Sequence, residues 1–194
     1  MYIPKHFSVT DAEKIWTFIE ANSFGQIISS VEGQLFSTHM PFLVNADRSK
    51  LVGHFATPNP QSQDIEGQEV LISLQGPHDY ISPSWYVDPG VPTWNYQTAH
   101  ITGVARVFRD ETRLKDLVDV LTEKYEAGQD RPWQPDYNAS MLGGIVGVEV
   151  EITDIQCKFK LNQNRSIEDR ESVIEELEKK GAHHLAKAMR DALE

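Results

Sequence analysis

The sequence predicts a mainly β fold, a closed or nearly closed antiparallel barrel of six strands with an α-helical extension at its C-terminal end. Three observations carry this: six separate β-favouring runs, helical periodicity confined to a few stretches, and a length of 194 residues, near the upper end of what one hydrophobic core serves. Residues 1–165 are expected to form the barrel domain and residues 166–194 a helical hairpin.

Thr10 and Glu13 stand at capping-box spacing and announce a first helix, with Ala12, Ile15, Trp16 and Ile19 as its inner stripe. Two β-favouring runs, 25–31 and 34–44, follow across Glu32-Gly33, which reads as a tight hairpin turn. Strands are expected next at 51–56 and 69–75, separated by a loop or short helix in which Pro58 and Pro60 rule out a long element. Residues 76–96 combine four prolines with Tyr80, Trp85, Tyr86, Trp94 and Tyr96, and a stretch this long without obvious regular structure implies a task. Within it Asp88-Pro89-Gly90 reads as a type II turn.

A fifth strand is expected over 94–108. Asp110 then caps a helix whose Leu114, Leu117, Val118, Leu121 and Tyr125 share one face. In the sixth strand Val146, Val148, Val150 and Ile152 alternate before the phase moves to Ile155, Cys157, Phe159 and Leu161, so a β-bulge is expected near Thr153-Asp154. The tail reads as two helices broken at Gly181, with Val173, Ile174 and Leu177 on the first and Leu185, Ala188, Met189 and Ala192 on the second.

Composition narrows the function. The formal charge is -11, from 18 Lys and Arg against 29 Asp and Glu, which repels polyanions unless a local basic patch reverses it. Cys157 is the only cysteine, and the opening MYIPKHF lacks the apolar stretch of a signal peptide, so a location in the reducing cytoplasm is expected. The common hydrolase, metalloprotease, dithiol and phosphate-loop motifs are absent, and the histidines lack metal-ligand spacing.

The run from Lys158 to Arg165 is more suggestive, because alternation puts Phe159 and Leu161 on one face and Lys158, Lys160 and Asn162 on the other. Two ammonium groups on one strand face suit a phosphate, although the same pattern describes an ordinary solvated face. Likewise Trp85, Tyr86, Trp94 and Tyr96 suit a planar ring or plain core packing.

MYIPKHF, THMPF at 38–42, NPQ at 59–61, GPHDYISPSWY, VPTWNY with His100 and Gly103 beyond it, and KLNQNR together resemble the PaiB family of FMN-binding negative transcriptional regulators. The likeness runs from Met1 into the tail, and the pairing of GPHDYISPSWY with VPTWNY is highly specific. It implies a split barrel related to pyridoxamine phosphate oxidases, a homodimer, and FMN in a cleft between subunits. Carried to matching positions, it implies Lys158, Lys160, Asn162, Gln163 and Arg165 as phosphate or ribityl contacts. Thr38, His39, Trp94, Asn95 and Tyr96 become candidates for the flavin ring and its polar edge. The chain departs from the pattern at 54–60, where family members often carry an arginine and this sequence has none.

The resemblance therefore implies an FMN-binding transcriptional regulator. The alternative on the same scaffold is a small FMN-dependent oxidoreductase, in which the flavin supplies the chemistry and no catalytic triad is needed. A haem-handling barrel would need an axial ligand such as His183 or His184, and a dimer serving only protein interaction would need no cofactor. The resemblance implies DNA or a transcription partner, but residues 165–194 carry more carboxylates than basic groups, unpromising for reading DNA, which leaves a partner protein as the other route for regulation. Tight duplex binding neutralises about 6 to 10 phosphates, and no basic cluster of that size is present. The chain should thus bind random duplex DNA poorly at physiological salt, with or without FMN. Submicromolar shifts with a steep salt dependence in a gel assay would contradict this.

Overall fold

The computed structural model describes residues 1–137 and 139–193. A 3-10 turn, Lys5–Phe7, opens the chain and leads through β1 (Ser8–Val9) to helix α1 (Ala12–Ala21). Strands β2 (Phe24–Val31), β3 (Gln34–Pro41), β4 (Leu43–Val44) and β5 (Lys50–Ala56), the short helix α2 (Gln61–Asp64) and β6 (Glu69–Ile81) follow. After a second 3-10 turn, Pro83–Trp85, come β7 (Thr93–Phe108), α3 (Glu111–Glu126), α4 (Ala139–Leu142), β8 (Ile145–Lys160), α5 (Ile167–Lys179) and α6 (His183–Asp191). Among the described residues no helix is long and apolar enough to cross a membrane.

Among the described residues the sheet has eight strands rather than the expected six, in the order β3-β2-β6-β7-β8-β5-β4 with β1 beside β8, and it is open rather than closed. Both extra strands, β1 and β4, are two residues long, too short to show a period of two. The expected run 34–44 divides at Phe42, which is buried and whose N–H still donates to Ser23 O at 2.8 Å in register with the β2–β3 ladder, after which Leu43 and Val44 pair with β5 instead. Conversely, β6 continues through Gly76 and Pro77 to Ile81, so the irregular stretch is shorter than the sequence suggests.

The hairpin between β2 and β3 turns at Glu32 and Gly33, whose φ values of 51° and 78° are the paired left-handed conformations of a type I′ turn. Helix α1 is capped not by Thr10 but by Asp11, whose carboxylate accepts from Lys14 N at 3.0 Å. β8 runs unbroken through the expected phase shift, where Thr153 and Asp154 are two successive exposed residues. Before that point it pairs antiparallel with β5, from Ala56↔Ile145 to Lys50↔Glu151. Beyond it β8 pairs with β1 at Val9↔Cys157 and Ser8↔Lys158.

Contacts divide the chain into two compact units. The first comprises Met1–Asn22, Leu74–His100 and Gln156–Glu194, and the second Ser23–Ser73 and Ile101–Ile155. In the first, Val173, Ile174 and Leu177 of α5 and Leu185, Ala186 and Met189 of α6 form one buried cluster with Ile81 and Leu161. α5 thus buries the stripe its periodicity predicts, whereas α6 buries Leu185 and Met189 together with Ala186 and leaves the expected Ala188 and Ala192 half-buried. In the second, Leu114, Leu117 and Leu121 of α3 pack with Phe108, and Asp110 caps the helix by accepting from Arg113 N at 2.9 Å. Val146, Val148 and Val150 are fully buried in this unit, as the alternation of β8 requires.

Candidate functional site

The start of β7 and the end of β8 bring four of the expected site residues together in the first unit. Lys158 is only 8% exposed; its Nζ donates to Tyr2 O at 3.1 Å and lies 5.3 Å from the Tyr96 ring centre and 5.8 Å from that of Tyr2. Lys160 Nζ donates to Trp94 O at 2.6 Å and to Thr93 Oγ1. Burial, with the charge of Lys158 beside it, pulls the Lys160 pKa below the usual lysine value. Neither lysine has a carboxylate partner among the described residues. Two cations held by carbonyls, a hydroxyl and aromatic faces form a locally positive place on an acidic chain.

Beside them stands an exposed aromatic surface. Trp94 is 54% exposed, with the Tyr80 ring edge-on at 6.2 Å and the His78 ring at 6.5 Å. Asn95 faces the other way, as strand alternation demands: it is fully buried, and its Nδ2 donates to Met189 Sδ at 3.3 Å. Its Oδ1 is buried without a partner among the described residues.

Asn162, Gln163 and Arg165 spend their polar atoms on the chain itself. Asn162, in the left-handed region at φ 62°, donates from Nδ2 to Tyr86 Oη at 3.2 Å. Gln163 accepts from Leu161 N at 2.7 Å and donates to Phe159 O at 2.6 Å, which closes the turn after β8. Arg165 lies over the Tyr86 ring at 4.2 Å and donates to Pro89 O at 3.1 Å and Asp169 Oδ2 at 3.4 Å. Gly90 does not have the positive φ of the expected type II turn. Close approach is what demands a glycine there, since a Cβ would sit 2.3 Å from the Tyr86 ring and 2.6 Å from Arg165 Nη2.

Thr38 and His39 belong to the second unit. Thr38 Oγ1 donates to Gln61 Oε1 at 2.6 Å and accepts from Asn59 Nδ2 at 2.9 Å, so THMPF meets NPQ in a network around the fully buried Gln61. His39 is exposed and stacks on Phe24 at 6.3 Å. Among the described residues no cluster of His, Cys, Asp or Glu has the arrangement of a metal site. Burial pushes the Cys157 thiol up to about 12, which makes it a poor nucleophile at neutral pH.

Sequence reasoning missed Tyr2, Thr93 and Asp169. Nothing marks Tyr2 or Thr93 as neighbours of lysines far along the chain. Asp169 is 1% exposed, and its Oδ1 accepts from Val87 N at 2.8 Å and Asp88 N at 3.1 Å. The only signal for it is Ser166, whose Oγ accepts from Asp169 N as the N-cap of α5.

The comparisons with known proteins agree with one another. Residues 1–154 match the family described as "Putative FMN-binding domain". "Protease synthase and sporulation protein PAI 2" of Bacillus subtilis is 43% identical over 204 residues, covering 100% of this chain and 98% of that protein. "Uncharacterized protein AN0679" of Emericella nidulans is 27% identical over 230 residues, covering 93% and 92%. Among solved structures, the flavocytochrome Anf3 from Azotobacter vinelandii aligns with a TM-score of 0.65 at 14% identity, covering 81% of this chain and 72% of that one. The FAD and heme binding protein from Mycobacterium smegmatis aligns at 0.63 and 15%, covering 85% and 78%. These two structural likenesses speak for the fold.

Replacing Asp169, whose carboxylate is buried, with alanine removes the acceptor of the Val87 and Asp88 amides, and a hydrogen bond to a charged group contributes about 1.5–3 kcal/mol. Thermal unfolding should show a melting point lower by several degrees. Arg165→Ala, which removes a more exposed partner, should lower it less. A greater loss from Arg165→Ala would contradict the clamp assigned to Asp169.

Proposed function

The chain belongs to the FMN-binding domain family, and from that premise we propose that it is an FMN-binding regulator of the PaiB type that works as a homodimer on a split-barrel scaffold. The observation that carries the reading is the pair of part-buried ammonium groups, Lys158 and Lys160, without a carboxylate and beside exposed aromatic rings. A dianionic phosphate joined to a planar ring matches both halves of that surface. In this reading Lys158 and Lys160 hold the phosphate, and Trp94 and Tyr96 offer faces to the ring. Asn162, Gln163 and Arg165, whose polar groups bond within the chain, shape the turn that adjoins the two lysines.

FMN supplies hydride and single-electron chemistry at its ring. What the residues of this chain contribute is binding and orientation, and no proton-transfer role is assigned to any of them. The homodimer is supported by exposed apolar side chains in one segment, Val87 at 71% and Val91 at 69% together with Trp94, a costly surface to leave in water.

The test is a fluorescence titration of FMN into the parent protein and into the Lys158→Ala/Lys160→Ala double variant. Each charge-assisted hydrogen bond is worth about 1.5–3 kcal/mol, so the double variant should bind roughly 100-fold more weakly or worse. Light scattering on the same samples should read about twice the 22.0 kDa chain mass. Unchanged FMN affinity in a folded double variant would remove the phosphate from this face, and a concentration-independent monomer would remove the dimer.

A further inference from the structure

The opposite face of the same strand end carries a separate cleft. Phe159 and Leu161, which alternation turns away from Lys158 and Lys160, floor a cavity of about 910 Å³ whose walls include Thr17 and Phe18 of α1, Gln97 of β7 and Ala188 of α6. All of these residues lie in the first unit. The volume falls within the range of small-molecule sites, and an apolar floor with a few polar groups is their usual composition.

Three features define what the cleft suits. The Phe18 and Phe159 rings meet at 5.2 Å and 57°, so they present an aromatic corner. Phe18 is wedged in place: a Cβ on Gly76 would come within 2.6 Å of its Cε2. The Gln97 amide is half-buried, and neither it nor the Thr17 hydroxyl has a side-chain hydrogen bond among the described residues, so both remain available to a ligand. Charge at the rim is mixed. Lys187 pairs with Asp191 at 2.6 Å, and Asp11 and Glu13 stand against Lys14 and His184. No net positive field favours a phosphate here, in contrast to the face of Lys158 and Lys160.

We propose that this cleft is a second binding site, distinct from the flavin phosphate face, which takes an uncharged planar aromatic molecule of one or two rings with its polar edge on the Gln97 amide. The aromatic corner supplies offset or edge contacts to such a ring. The unpaired amide discriminates in favour of a ligand bearing a hydroxyl or carbonyl. The residues involved are not those assigned to FMN, so the site stands or falls independently of the flavin reading.

The experiment is a titration of the full chain with 2-naphthol, followed by its fluorescence, with 2-naphthoate as the anionic control and FMN as competitor. Saturable binding of one 2-naphthol per chain, weaker binding of 2-naphthoate, and no displacement by FMN are expected. Thr17→Trp fills the cleft from an exposed helix position and should weaken 2-naphthol binding by at least about tenfold, because a pocket ligand needs most of its surface buried. Gln97→Leu should weaken it several-fold, and Lys158→Ala/Lys160→Ala should leave it unchanged. Absence of saturable binding to the parent would overturn the proposal. So would competition by FMN, tighter binding of the anion, or undiminished binding by both cleft variants with melting points at the parent value.

Discussion

β8 beyond Thr153-Asp154 sets Lys158 and Lys160 on one face and Cys157, Phe159 and Leu161 on the other, and the local chemistry follows from that alternation. On the first face two ammonium groups rest against backbone carbonyls, a threonine hydroxyl and tyrosine rings. On the second an apolar surface joins the cores of α5 and α6 and floors the cleft beneath α1. A shift of one residue would exchange the faces, taking both lysines from their carbonyl and hydroxyl acceptors and Phe159 and Leu161 from the apolar cluster. The position of Thr153-Asp154, where the burial phase moves, is therefore a constraint on the fold of both faces.

The electrostatics of the lysine face follow from its surroundings. Partial burial, with the charge of Lys158 beside it, is why Lys160 loses its proton more readily than an ordinary lysine. The chain as a whole carries an excess of negative charge, which discourages nonspecific polyanions. Asp169 supports the arrangement from behind by fixing the amides of Val87 and Asp88 and by pairing with Arg165, which itself covers Tyr86.

Elements with a long period were legible in the sequence. α5 buries the stripe its spacing predicts, and Glu32-Gly33 turns the hairpin as its composition demands. α3 buries Leu114, Leu117 and Leu121 of its stripe but leaves Tyr125 47% exposed, and α6 buries Leu185 and Met189 with Ala186 while Ala188 and Ala192 are half-buried. Two-residue strands such as β1 and β4 carry no periodic signal, and the continuation of β6 through Gly76-Pro77 runs against local propensity. At the candidate site, alternation separated the lysines from Phe159 and Leu161 correctly. It could not say which polar side chains are consumed inside the fold, and Asn95, Asn162, Gln163 and Thr38 all make intrachain bonds that depend on distant residues. Asp169 lies in an acidic stretch that reads as a solvated helix face, and only the fold distinguishes its buried carboxylate from the exposed ones beside it.

The central claim is that this chain recognises the phosphate of a flavin through Lys158 and Lys160. Its most direct test compares FMN with riboflavin, which has the same ring and ribityl chain without the phosphate, by isothermal titration on the parent protein. The account predicts that FMN binds at least about 30-fold more tightly, as the loss of charge-assisted bonds requires, with the difference shrinking as salt is raised. Equal affinity for the two flavins would contradict it.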